Sequence, residues 1–161
     1  MTVLPCLWFA TEAVEAAEHY VSVIPNSRIV AVHATPEAAP GPTGSPMLVD
    51  LELDGSRVQA LNGGIDFPFS EAVSLVAVVE TQAELDRVWD GLLEGGGSEV
   101  QCGWLKDRWG LSWQVVPAVL ERISAEAADE PERYARAMTA VTNMVKLDVA
   151  AIEAAADGVT V

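Results

Sequence analysis

Few residues in this 161-residue chain are of a type that does chemistry, and their spacing narrows them further. Of the two histidines, His19 falls on the polar side of a first amphipathic helix, with no ligand-type residue at matching spacing, and reads as solvated. His33 stands at a strand end before a proline-rich loop and is the better site candidate. Cys6 and Cys102 form neither a disulfide framework nor a metal motif. Both lie in apolar, strand-like surroundings, which predicts buried reduced thiols. Cys102 has no histidine near it to act as a base, so it is a poor nucleophile candidate. Glu71 sits in a connector; it is either an exposed loop carboxylate or a general acid/base beside a cavity mouth, or a dimer contact. Lys106 and Asp107 read as a turn salt bridge.

The remaining candidates are polar or aromatic residues on otherwise apolar strands. Asn62, Ser74 and Gln114 are of this kind. Alternation puts Ser112, Gln114 and Val116 on one face and Trp113 and Val115 on the other. A buried glutamine needs partners, so Gln114 either bonds a neighbouring strand or lines a cavity and orients a ligand. Trp8, Trp104, Trp109 and Trp113 are expected around one concavity, as a stacking surface or as ordinary core, while Trp89 belongs to a helix.

These residues need elements to position them. Val3–Phe9 reads as a first strand. Thr11 is placed to cap a helix whose inner face is Val14, Ala17, Val21 and Ile24. Strands follow at Arg28–His33, Met47–Leu53 and Arg57–Asn62, the last two joined by an Asp54-Gly55 hairpin turn. The pattern then restarts. Ser74–Val79 is a strand, and Thr81–Glu84 has capping-box spacing before a helix carrying Leu85, Val88, Trp89 and Leu92. Short strands are expected around Val100–Cys102, Trp104–Lys106 and Ser112–Val116. This is a βαβββ unit written twice: an α+β fold whose paired modules form a cupped eight-stranded mixed sheet, followed by a helical tail. The expected boundaries are residues 1–66, 67–117 and 118–161. In the tail, helices are expected over Ala118–Ala128, from Glu132 through Val145, and over Leu147–Ala156.

Nine Lys and Arg against 24 Asp and Glu give a net charge of −15. With half the residues apolar, the chain has the surface to fold. Its acidity argues against nucleic acid as a partner. No apolar run reaches the ~20 residues of a membrane helix, and the N-terminus lacks a signal-peptide pattern, so a cytoplasmic protein is expected.

The strings PCLWF (Pro5–Phe9), ALNGG (Ala60–Gly64), FSEAVSL (Phe69–Leu75), QCGWLKDRWGLSWQVVP (Gln101–Pro117) and KLDVAAIEAA (Lys146–Ala155) resemble the PhnB-like branch of the vicinal oxygen chelate superfamily. This branch is often labelled demethylubiquinone-methyltransferase-like; glyoxalase, bleomycin-resistance and extradiol-dioxygenase proteins are relatives. The resemblance implies paired βαβββ modules, a homodimer and a ligand cavity. Metal-using relatives hold a divalent ion with two His and two carboxylates. Carried over residue by residue, those positions fall at or next to Pro5, near Val58, and at Ser74 and Gln114. Such side chains do not supply a metal site, so no metal is expected. No glycine-rich loop opens a helix after a first strand, so no Rossmann-type cofactor site is expected either. The expectation is a cofactor-free binder of a small organic molecule, with Trp8, Asn62, Ser74, Trp104 and Gln114 lining the cavity. The alternative is an enzyme acting on a small metabolite, a lyase or isomerase or a glyoxalase- or dioxygenase-like one, with Glu71 catalytic.

Overall fold

Hydrogen bonding sorts the eight strands into two four-stranded sheets built to one plan. The structure, a computed structural model, describes residues 1–159. It divides into two compact units, Met1–Pro68 and Phe69 onward. The first contains β1 (Cys6–Phe9), α1 (Ala13–Val23), β2 (Arg28–Ala34), β3 (Pro46–Leu53) and β4 (Ser56–Asn62). The second contains β5 (Ser74–Val79), α2 (Gln82–Leu93), β6 (Ser98–Glu99), β7 (Trp104–Lys106) and β8 (Ser112–Pro117). It continues into α3 (Ala118–Ala125), α4 (Pro131–Thr142) and α5 (Val149–Ala156). The sheet orders are β1-β4-β3-β2 and β5-β8-β7-β6. In each, the first strand pairs parallel with the last, and the remaining pairs are antiparallel. The paired βαβββ reading therefore holds, with the strands in two sheets rather than one hydrogen-bonded ladder.

In each unit the helix covers one face of the sheet. Against α1 lie Leu7, Phe9, Val49, Leu51, Val58 and Ala60; against α2 lie Leu105, Trp113 and Val115, all buried. The β3–β4 hairpin turns through Asp54 and Gly55, both at positive φ, which matches the twist of the flanking strands. Thr81 and Glu84 form the expected capping box at α2.

The first helix differs from expectation. Thr11 does not cap it, and no side chain caps it from the N-cap position, Glu12. The first amide, Ala13 N–H, instead donates to Asn62 Oδ1 at 2.8 Å, from the far end of β4. The buried stripe is Ala13, Ala16, Ala17, Tyr20 and Val23, and His19 is buried beside it. The alanines win the inner face because they let the helix approach β3 and β4 closely, which turns Val14 and Val21 partly outward and brings His19 in. Asn62 Nδ2 also donates to Pro46 O at 3.0 Å. Asn62→Ala removes both bonds and should cost about 1–2 kcal/mol, read as a lower urea midpoint.

The tail packs on its own unit. Val119, Ile123, Ala137, Val141, Ile152 and Ala156 make its small core. The middle helix ends at Thr142 rather than Val145, because the chain leaves the helix to bond elsewhere. Cys102 N–H donates to Met144 O and Gly103 N–H to Val145 O, both at 2.8 Å. Leu147 is buried, and a Cβ at Gly103 would lie 2.9 Å from its side chain. Lys146 pairs with Asp86 at 2.7 Å and Asp90 at 3.3 Å. Val149 N–H donates to Gln82 Oε1, and Asp148 caps α5. The KLD string is thus a strap that fastens the tail to α2 and to the Cys102–Gly103 turn.

Candidate functional site

The face of the second sheet away from α2 carries most of the expected site residues. Strand register sets them in rows. Ser74, Ser112 and Lys106 lie side by side across β5, β8 and β7; Val76, Gln114 and Trp104 form the next row. Val78 pairs with Val116 in the third row. Gln114 Nε2 donates to Ser74 Oγ at 2.9 Å, so of the two readings of this glutamine the strand-to-strand bond is present. Both side chains remain partly exposed on the open face. Trp104 is half-buried, and Val76 is 53% exposed. The face offers an indole, valines and a fixed amide, a mixture suited to a flat or apolar body bearing a polar group.

At the edge of the first row, Lys106 Nζ donates to Glu71 Oε1. Lys106 therefore does not pair with Asp107. The lysine's hydrogen bond holds the Glu71 carboxyl below the usual carboxylate range, with help from a backbone bond and the lysine's charge. Asp107 is buried instead. Its Oδ1 accepts from Trp109 N–H (2.9 Å) and Leu111 N–H (3.0 Å), and its Oδ2 from Trp113 Nε1–H (3.0 Å). This locks the turn that sets Lys106 opposite Ser112. Trp113 faces α2, so it belongs to the core rather than to the open face. Trp109 lies in the turn, with the Arg108 guanidinium 4.5 Å from its ring centre.

On the first sheet, the open face includes Trp8, Gln59, Asp50 and His33. Trp8 lies over Gly63, where a Cβ would fall 1.9 Å from the indole. Its Nε1–H donates to Ile65 O at 2.8 Å, and its ring lies 5.5 Å from that of Phe67. The ALNGG string thus positions Trp8 and the start of α1, with the Asn62 amide engaged by backbone. His33 Nε2 sits 2.7 Å from Asp50 Oδ2, and Gln59 Nε2–H donates to Asp50 Oδ1 at 2.8 Å. A carboxylate on one ring nitrogen fixes the orientation of a histidine, as a general base requires. Asp50 and Gln59 were not singled out in the sequence. The alternation of β3 does put Asp50 outward, but its meeting with His33 depends on pairing across a proline-rich loop. Val58 is buried toward α1, and Gln59 takes the open-face position beside it.

Gln59 chiefly, with His33, holds the Asp50 carboxyl below its ordinary range. Its contribution to stability is then complete above about pH 4 and is lost as pH falls through the lowered value. Asp50→Asn should lose this advantage at neutral pH and match the wild type in strong acid, read as urea midpoints against pH.

Neither cysteine is buried as expected: Cys6 is exposed and Cys102 partly so, because each sits where its strand begins or turns. Among the described residues, no group of three or more His, Cys, Asp or Glu is placed to share a metal ion. An open groove of about 780 Å³ lies between α4 and the end of α5. Its cation, Arg136, already donates to the carbonyls of Ala155 and Ala156, and the groove holds none of the open-face residues.

Paired βαβββ units with these sheet orders define the vicinal oxygen chelate fold. Two solved structures share it at the level of fold. A glyoxalase/bleomycin resistance protein from Albidiferax ferrireducens T118 has TM-score 0.50 at 9% identity, covering 73% of this chain and 98% of that one. A possible glyoxalase from Bacillus cereus has TM-score 0.50 at 13% identity, covering 72% and 98%. Within this superfamily the chain belongs to the PhnB-like family described as 3-demethylubiquinone-9 3-methyltransferase, whose model matches residues 1–116. It is similar to a Bacillus cereus PhnB protein described as a putative member of that family, with TM-score 0.66 at 28% identity over 73% of this chain and 99% of that one. No curated protein matches the chain. The helical tail, α3 to α5, lies wholly beyond the family match.

Proposed function

We propose that the protein binds a small organic molecule on the open face of the second sheet, without a metal ion. The observation that carries this reading is the row of Val76, Gln114 and Trp104, with the Gln114 amide held in place by Ser74. Trp8 lines the equivalent face of the first sheet, while the Asn62 side chain lies on the α1 side and bonds the backbone of Ala13 and Pro46. A glyoxalase-type ion does not fit the donors present. Pro5 and Val58 offer no side-chain donor, Val58 faces the helix, and Ser74 and Gln114 are neutral and bonded to one another. The resemblance to the family supports a cytoplasmic homodimer; separately, none of the described helices is long and apolar enough to cross a membrane.

The enzymatic alternative has one observation in its favour, the His33–Asp50 pair, which is built like an oriented base. Glu71 suits that role less, because Lys106 makes its carboxylate a weaker proton acceptor. A thermal-shift screen of small molecules tests the binding reading. A ligand at 100 times its Kd should stabilise the wild type by about 2.7 kcal/mol. The shift should vanish in Trp104→Ala and Gln114→Leu; hits that shift both variants as much as the wild type would refute the assigned face.

A further inference from the structure

Ser112 is the odd member of the second sheet's open face. It sits in β8, between β5 and β7, is only 1% exposed, and its hydroxyl has no hydrogen-bond partner among the described residues. Its ladder neighbours are Ser74 on one side and Lys106 on the other. Glu71, three residues ahead of Ser74, reaches Lys106 and so ties the two flanking strands together past Ser112. A buried hydroxyl without a partner carries a standing cost, and such a cost persists where the group has a use.

We propose, building on the binding reading above, that Lys106, Ser112 and Ser74 form a receptor for the carboxylate of the ligand, and that Glu71 is its internal stand-in. The site already holds a carboxylate: Glu71 occupies the Lys106 ammonium. Glu71 is on a segment outside regular structure, and its side chain is 67% exposed, so the pair is cheap to open and the displaced carboxylate returns to water. An incoming carboxylate takes the ammonium in its place and accepts from the idle Ser112 hydroxyl, a charge-assisted bond. The next row, Gln114 with Trp104 and Val76, lies where the apolar body attached to that carboxylate would rest. No covalent step is involved.

Benzoate is a suitable probe, with benzamide as its uncharged counterpart, titrated against the full chain by tryptophan fluorescence and NMR. Benzoate should bind at least about tenfold more tightly than benzamide, the loss expected for a charge-assisted contact. Lys106→Met should remove that difference. Glu71→Gln should tighten benzoate several-fold, since it disarms the competitor. Ser112→Ala should weaken benzoate severalfold while leaving Tm unchanged or raised, because it deletes an unbonded buried hydroxyl; a purely structural serine would not combine these outcomes. Equal affinities for benzoate and benzamide, an unchanged Kd in Ser112→Ala, or weaker binding in Glu71→Gln would each overturn the carboxylate receptor. Uncharged ligands still bound at Trp104 in that event would leave the broader binding reading standing, whereas no wild-type binding of any ligand would remove both.

Discussion

Asp107→Ala should destabilise the protein by about 3 kcal/mol, because it strands three donors at once in a buried turn. The amides of Trp109 and Leu111 and the indole N–H of Trp113 all converge on this one carboxylate. The Leu111 amide and the Trp113 indole have no easy route to water, since Leu111 and Trp113 are at most 2% exposed, whereas Trp109 is partly exposed. Asp107→Asn keeps an oxygen for the two amides but presents an NH2 group to the Trp113 indole, so it should cost roughly half as much. Urea unfolding followed by near-ultraviolet circular dichroism gives both the stability and the fate of Trp113. The consequence reaches the open face as well. Lys106 and Ser112 flank this turn, and their pairing is set by it. The alanine variant should therefore also lose benzoate binding, even at temperatures where it is folded.

The second large effect is expected at Leu147→Ala. Leu147 is 1% exposed and fills the space left by the absent side chain of Gly103. Truncating a buried leucine costs about 2–5 kcal/mol, toward the upper end where the surroundings cannot collapse. Here they cannot collapse freely, because Met144 and Val145 on one side are pinned by backbone hydrogen bonds to the Cys102–Gly103 turn, and Val149 on the other by its amide to the Gln82 side chain. Hydrogen exchange should show the Cys102, Gly103 and Val149 amides losing protection together. Unchanged protection at these amides would mean that the tail is held by its own helices and not by the strap.

The strands of this protein could be read from alternation and turn residues. Asp54-Gly55 makes its hairpin, Thr81–Glu84 makes its capping box, and Ser112 and Gln114 share the face that alternation assigns, where strand register sets Ser74 and Trp104 beside them. What escaped depends on contacts distant in the chain. The inner side of α1 is hard to see in the sequence because alanines carry little hydrophobic contrast yet pack closest. Thr11 stands where a cap is expected, but a cap can come from another element, and Asn62 supplies it. The Glu71–Lys106 pair, the His33–Asp50 pair and the three-way use of Asp107 follow from register and turn geometry, neither of which local composition encodes. The tail helix stops early at Thr142 because Met144 and Val145 offer their carbonyls to Cys102 and Gly103, 42 residues back in each case.

Native mass spectrometry of the purified protein, with benzoate added, reports organic ligands and metal ions in one spectrum and so tests metal-free ligand binding. The wild-type chain should carry a benzoate adduct that the Trp104→Ala and Gln114→Leu variants lose, with no stoichiometric metal mass in any of them. One divalent ion per chain, retained through desalting and lost on changing Gln114, would contradict metal-free binding.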